Sequence, residues 1–241
     1  MSNYIISCCS TADLSKEHLE AINVKYISFH YELDGVSYLD DLWQSMAIED
    51  FYGKMATGAQ TKTSQINADE FVDYFRKFLH QGQDIIHVCL SSGITGVVNS
   101  ANIAKEILAE EFSERNIYIV DSLAASSGYG LIMDTMARLR DQGMTIDELY
   151  KWIEENKLRM NHWFFSTDLT FYIRGGRISK TAGAIGQLLN ICPLLNVDYL
   201  GKLIPRYKIR TKKKVIKATV DKMEELADDG LDYSGKCYLS H

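Results

Sequence analysis

Three clusters of small hydroxyl residues stand where predicted strands end. The apolar run Tyr4–Cys9 leads into Ser10-Thr11, Ile85–Leu90 into Ser91-Ser92-Gly93-Ile94-Thr95-Gly96, and Ile117–Val120 into Asp121-Ser122. A fourth group, Thr61-Lys62-Thr63-Ser64, precedes a segment with strong helix-start signals. Ser, Thr and Asp are ordinary N-caps, so capping alone accounts for any one cluster. Their recurrence at several strand ends is what points to a site. In an open parallel sheet, ligands bind outside the carboxyl ends of the strands. Adjacent ends would gather hydroxyls and free amide N–H groups into a collar suited to an anion of low charge, a carboxylate or a phosphate.

Other chemistries find less support. No complete Walker A loop occurs, since the spacing Gly230-x4-Gly235-Lys236 is followed by Cys237 where Ser or Thr is required. Gly128-Tyr129-Gly130 begins like a dinucleotide fingerprint, but Met133 stands at the third glycine position, which reads as close helix packing. There is no G-x-S-x-G elbow and no C-x-x-C pair. His87 and Cys89 share a strand face but lack a second ligand pair, so no metal site is expected. The six histidines are scattered. A Ser-His-Asp triad is recognised by geometry, so the sequence leaves that question to the fold. In the second half, Arg174-Gly175-Gly176-Arg177 joins a permissive backbone to a guanidinium fork that fits a carboxylate or phosphate. A simple turn with a solvated arginine is the alternative.

The composition is that of a globular protein: 241 residues, 46% hydrophobic and 24% charged. A net charge of −6 argues against general nucleic-acid binding. One stretch is locally basic, with Arg206, Lys208, Arg210, Lys212, Lys213, Lys214 and Lys217. It reads as a solvated strand end and helix face, with an acidic protein partner as its other use. The start lacks the basic and apolar regions of a signal peptide, and no apolar run is long enough to span a bilayer. The five cysteines are an odd number and mostly lie in apolar runs. Both features fit reduced thiols and a cytoplasmic location.

These residues need strands and helices to position them. Strands are expected at Tyr4–Cys9, Val24–Leu33, Val36–Leu39 after the Asp34-Gly35 turn, Ile85–Leu90 and Ile117–Val120. Ser10 or Asp13 is expected to cap a first helix. Further helices are expected around Ile48–Met55, after the capping box at Asn67, from Gly96 to Phe112, from Ala125 to Asp141 and over Ile146–Leu158. Such alternation implies right-handed crossovers and a largely parallel sheet. The pattern changes near Met160. Strands His162–Ser166, Ile191–Val197, Lys202–Ile209 and Lys236–Ser240 then accompany a Gly- and Ala-rich helix to about Leu189 and a helix from Lys212 to Ala227. The expected architecture is α/β in two domains. Residues 1–159 form a three-layer α/β/α domain with a parallel sheet. Residues 160–241 form a smaller α/β domain with a mixed sheet, expected to be incomplete at its C-terminus because it ends on an uncovered strand.

Several short motifs in order then resemble the DegV family of fatty-acid-binding proteins. They are Ser10-Thr11-Ala12-Asp13-Leu14, Lys62-Thr63-Ser64-Gln65, Ser91-Ser92-Gly93-Ile94-Thr95-Gly96, Asp121-Ser122, Gly175-Gly176-Arg177-Ile178-Ser179, Pro193-Leu194-Leu195 and Gly201-Lys202-Leu203-Ile204. The resemblance implies a two-domain DegV-like fold with a long-chain fatty acid between the domains. The carboxylate would meet Thr63, Ser64, Ser92 and Thr95, with Arg177 nearby. It further implies that the protein does no chemistry itself, needs no metal or other cofactor, and presents its lipid to a separate fatty-acid kinase. The chain departs from the family's pattern at Cys9, where Asp is usual, at Cys192, where Lys is usual, and at Val97, where a hydroxyl is usual. The family's His-bearing terminal segment is also missing. The residues themselves offer an apolar slot, since Ala182–Leu189 with Ile191, Leu194 and Leu195 could line one. Each buried CH₂ would add about 0.8 kcal/mol. The competing functions are a small hydrolase or phosphate-binding enzyme using the hydroxyl collar, and a lipid-sensing regulatory module.

Overall fold

The computed structural model describes residues 4–179 and 191–240. Four strands form a wholly parallel sheet in the order β2-β1-β6-β7: β1 (Tyr4–Cys9), β2 (Val24–Ile27), β6 (Asp84–Cys89) and β7 (Ile117–Asp121). Every residue of β1 is buried, and all but the first of β6, as expected of central strands covered on both faces. Successive side chains of β6 show the two covers. His87 meets the rings of Phe71 and Phe75 on helix α3 (Ala68–Leu79), while the Val88 carbonyl accepts a hydrogen bond from Tyr129 on helix α5 (Ser126–Asp141).

Local sequence explains the helices. In α3 a capping box pairs Asn67 with Glu70, and Phe71, Phe75 and Leu79 form its buried stripe. Helix α6 (Ile146–Asn156) repeats the device with Thr145 and Glu148 over buried Ile146, Leu149 and Ile153. Helix α4 (Val97–Glu111) packs beside α3. Helix α1 (Lys16–Ala21) is capped by Ser15, because Ser10–Ala12 coil into a 3₁₀ turn and Asp13 turns left-handed.

Two sequence expectations change here. The run Val24–Leu33 is not one strand. It leaves the parallel sheet after Ile27, and the Phe29 N–H donates to the buried Ser10 hydroxyl at 3.0 Å. It then starts a second sheet with β3 (His30–Leu33), paired to β4 (Val36–Leu39) and to β5 (Thr61–Ser64) in the order β4-β3-β5. Thr61–Ser64 is thus an edge strand of a small antiparallel sheet. Helix α2 (Ile48–Ala56) sets the Phe51 ring edge-on to Tyr31 of β3.

The third sheet, in the order β10-β9-β8, joins β8 (Trp163–Phe165), β9 (Ile191–Val197) and β10 (Leu203–Arg210). Both pairings are antiparallel, where a mixed sheet was expected. Helix α7 (Thr170–Arg174) and helix α8 (Lys212–Leu226) accompany this sheet. The expected strand Lys236–Ser240 makes no ladder. It is a tail held by side chains, with Lys236 on Asp134 at 2.5 Å and Tyr238 against His18 at 3.4 Å. The helix expected before Leu189, and the slot residues Ala182–Leu189, lie outside the described residues.

Candidate functional site

The hydroxyl collar divides into groups used by the fold and groups left over. Ser10 accepts from Phe29 and is buried. Ser122 closes a local turn, accepting from the Ala124 N–H at 3.1 Å. Ser91, fully buried, donates to the Gly201 carbonyl at 2.8 Å and accepts from Gly93 at 3.0 Å. These three are structural. Thr63, Ser64 and Ser92 are exposed, and Thr95 is half-buried. Thr11 follows Ser10 in the 3₁₀ turn after β1. Its hydroxyl oxygen is buried without a hydrogen-bond partner, the one such side-chain atom among the described residues. Leaving a buried polar group unpaired costs about 1–3 kcal/mol.

Register decides how Thr63 and Ser64 point. On β5 they are neighbours, so their side chains take opposite faces. Thr63 pairs with Tyr31, on the face that carries α2. Ser64 pairs with His30, whose Nε2 lies 2.9 Å from Glu70 at the start of α3. The Ser64 hydroxyl therefore does not share the side of Thr63. One residue further, just past β5, Gln65 bonds Thr95, whose hydroxyl donates to Gln65 Oε1 at 2.9 Å. Gln65 thus links the end of β5 to the loop after β6.

The second half closes on these strand ends through the β9–β10 turn. Gly201 has φ +70°, and a Cβ there would fall on the Ser91 hydroxyl. A Cβ at Gly93 would meet Leu200 O at 2.5 Å and Gly201 C at 2.6 Å. Two glycines are needed for backbone to lie on backbone here. A second contact places the half-buried His162 ring on Gly128, in the first turn of α5. Burial pushes the His162 imidazole down to about 4. Tyr172 of α7 is pushed up, by burial first and then by the charge of Tyr52 on α2.

Leu194 and Leu195 were expected to line one slot together. As neighbours on β9 they face opposite ways. Leu195 joins Leu169 and Ile178, with Phe164 and Tyr172 against them, whereas Leu194 packs with Cys192 and Val215 of α8. Only the Leu195 face shares its cluster with α7. Arg177 is exposed and its Nη1 donates to the Gly175 carbonyl at 2.6 Å. Among the described residues, no hydrogen bond or ion pair joins Arg177 to Thr63 or Thr95.

The strand ends carry negative charge. Asp121 Oδ1 accepts from the N–H groups of Ser92 and Leu123, each at 3.1 Å. Asp13 accepts from Ser126. Burial pushes its carboxyl above the usual range, Ser126 opposes this, and the Asp40 charge adds to it. Two aspartates at the collar disfavour a doubly charged phosphate more than a single carboxylate. One feature invites a hydrolase reading. The Ser7 hydroxyl lies 2.9 Å from His87 Nδ1, and Cys9 Sγ lies 3.7 Å from Nε2. All three residues are fully buried, and the second Ser7 contact is the Tyr74 hydroxyl at 2.8 Å. The cluster is a core network without room for a substrate. Burial opposes ionisation of Cys9, and hydrogen bonds from Cys89 and His87 outweigh it, drawing its thiol below the ordinary range.

A parallel four-stranded sheet between helices, joined to smaller antiparallel sheets, defines the class: a mixed α/β fold. The chain belongs to the DegV family, since the family model described as "Uncharacterised protein, DegV family" matches residues 6–235. A DegV domain-containing protein of Clostridium perfringens, CPE0026, is 36% identical over 225 residues, covering 93% of this chain and 77% of that one. Among solved structures, Thermotoga maritima TM841, described as revealing a fatty acid binding function, is 28% identical with a TM-score of 0.79, covering 94% of this chain and 78% of that one. A stearic-acid-binding protein from Eubacterium ventriosum is 25% identical with a TM-score of 0.84, covering 94% and 77%. Among the described residues, no helix is long and apolar enough to cross a membrane, and no group of three or more His, Cys, Asp or Glu could hold a metal.

Proposed function

We propose that this protein binds a long-chain fatty acid between its two halves and presents the carboxylate to a partner fatty-acid kinase. The observation that carries the proposal is the set of hydroxyls gathered at the strand ends: Thr63 and Ser92, exposed and without a side-chain hydrogen bond among the described residues, and Thr95, whose hydroxyl is bonded to Gln65. They are offered to an anion whose low charge suits the neighbouring aspartates. Thr11 is a further donor in reach of the strand ends. Ser64 is set aside, because its hydroxyl takes the other face of β5. Arg177 supports the carboxylate end by field, with one of its five N–H groups held by Gly175. The acyl chain lies along the apolar face of Leu169, Ile178 and Leu195. The fatty acids held by TM841 and by the Eubacterium ventriosum protein support this ligand class. The kinase follows from the family resemblance and from the absence of an accessible nucleophile–base pair among the described residues.

The test is mass spectrometry of lipid extracted from protein purified from a bacterial host, followed by titration of the delipidated protein with palmitate. A long-chain fatty acid at close to one per chain is the expected result. Empty extracts together with no palmitate binding would overturn the proposal. The kinase step is read separately, as acyl phosphate formed when a purified fatty-acid kinase and ATP are added to loaded protein. No kinase is expected to accept Thr63→Ala protein that has lost its lipid.

A further inference from the structure

Thr95 has a single hydroxyl proton, and here it is committed to Gln65 Oε1 at 2.9 Å, while Gln65 Nε2 donates to the Ser100 hydroxyl at 3.2 Å. In this polarity Thr95 shows the collar only lone pairs, which repel a carboxylate. The same three side chains have a second polarity. Half a turn of the Gln65 amide exchanges its oxygen and nitrogen, which are nearly equal in size. The amide N–H then donates to Thr95, Ser100 donates to the amide oxygen, and the Thr95 proton is released toward the collar. No heavy atom has to leave its place, and every group stays paired. Ser100 is buried on α4 and gives the amide a fixed anchor. Gly96 leaves the amide room, for a Cβ there would press on Gln65 Oε1 at 3.1 Å.

We propose that Gln65 is a positioning residue whose amide, anchored on Ser100, sets whether Thr95 accepts or donates and turns it into a donor when a carboxylate arrives. This rests on the fatty-acid reading above. It predicts that Gln65 acts through Thr95 and not by contact with the ligand.

The test is a double-mutant cycle on delipidated protein titrated with palmitate, using wild type, Gln65→Glu, Thr95→Val and the double variant. Gln65→Glu supplies only acceptors, so it holds the Thr95 proton permanently. It should weaken palmitate binding about 10- to 100-fold. With Thr95→Val already present, the same change should cost less than about 5-fold, because only its charge remains to act. Gln65→Met frees the Thr95 hydroxyl to turn and should lose less than Gln65→Glu. Gln65 is exposed, so all variants should melt with wild type. An equal loss from Gln65→Glu in both backgrounds would mean charge repulsion alone and would overturn the relay, as would unchanged affinity in Gln65→Glu. If wild type binds palmitate and the cycle shows no coupling, the relay falls and the fatty-acid reading stands. If wild type does not bind palmitate, both fall.

Discussion

At the scale of single residues, the site is a question of which hydroxyls the fold buries and binds and which it leaves at the surface of the strand ends. Ser10, Ser91 and Ser122 look identical to Thr63, Ser92 and Thr95 in the sequence, and it is burial with a backbone partner that separates the first three from the others. A charged acceptor strengthens each remaining donor. Thr63→Ala and Thr95→Ala should therefore each weaken palmitate binding by about 1.5–3 kcal/mol. Calorimetry on folded single variants measures this, and unchanged affinity in both would move the head group elsewhere. Arg177 belongs to the same scale with a weaker claim. Its exposed guanidinium acts across solvent, so Arg177→Ala should cost less than either threonine and should lose its effect in high salt. A salt-independent loss would instead mean direct contact. The strand-end clusters were legible in sequence because Ser and Thr after an apolar run have few roles. Which of them were spent was not legible, since the partners lie as far away as Gly201, 110 residues from Ser91. Gln65 was visible as part of a motif but carried no signal of its own bond to Thr95.

Elements position these residues through register and caps. Strands β1, β6 and β7 and helices α3 to α6 followed from apolar periodicity and capping boxes, which act within a few residues and so can be read along the chain. The errors share a cause: sheet membership is decided by distant partners. Val24–Leu33 is one apolar-polar run that serves two sheets, Thr61–Ser64 is a strand only because β3 lies beside it, and Lys236–Ser240 has the composition of a strand but no neighbour to pair with. The junction of the β9–β10 turn with the loop after β6 is the element-scale feature most exposed to substitution. Gly201→Ala adds a left-handed penalty of about 1–2 kcal/mol to a Cβ falling on Ser91. It should destabilise by more than Asn67→Ala, which removes only the α3 cap at about 1 kcal/mol. Urea denaturation of both variants provides the comparison. Gly201→Ala should also weaken palmitate binding, whereas Asn67→Ala should leave it near wild type. The reverse order would show that the two halves do not depend on this turn.

For the whole molecule, the two halves meet at a titratable wedge. The His162 ring lies on the first turn of α5, where a helix N-terminus already carries partial positive charge, and its surroundings keep it neutral down to about pH 4. In the unfolded chain the same imidazole takes its proton near the ordinary value of about 6.5. Between these two values the unfolded state binds more protons than the folded one, so stability falls as pH falls. The contribution is fully present above about 6.5 and is lost progressively toward 4. Because the ring is only half-buried, the loss is about 2 kcal/mol and not the full linkage value. Asp134 and Asp13 are among the carboxyls also shifted from the ordinary range. Burial opposes ionisation of Asp134, but hydrogen bonds from Lys236 and Tyr238 outweigh it, so its stabilisation is present above the ordinary carboxylate range and is lost only as pH falls below it. Asp13, raised chiefly by burial, works in the opposite sense to His162, since its stabilisation declines as pH rises. Comparison with His162→Gln cancels both. Urea denaturation at pH 7.5 and pH 4.5 should show wild type losing about 2 kcal/mol more than His162→Gln over that interval. Since the wedge holds the halves together, palmitate affinity of wild type should fall over the same interval by more than that of the variant. Parallel pH profiles for the two proteins would mean that His162 is already open to water and that its protonation does not loosen the contact between the halves.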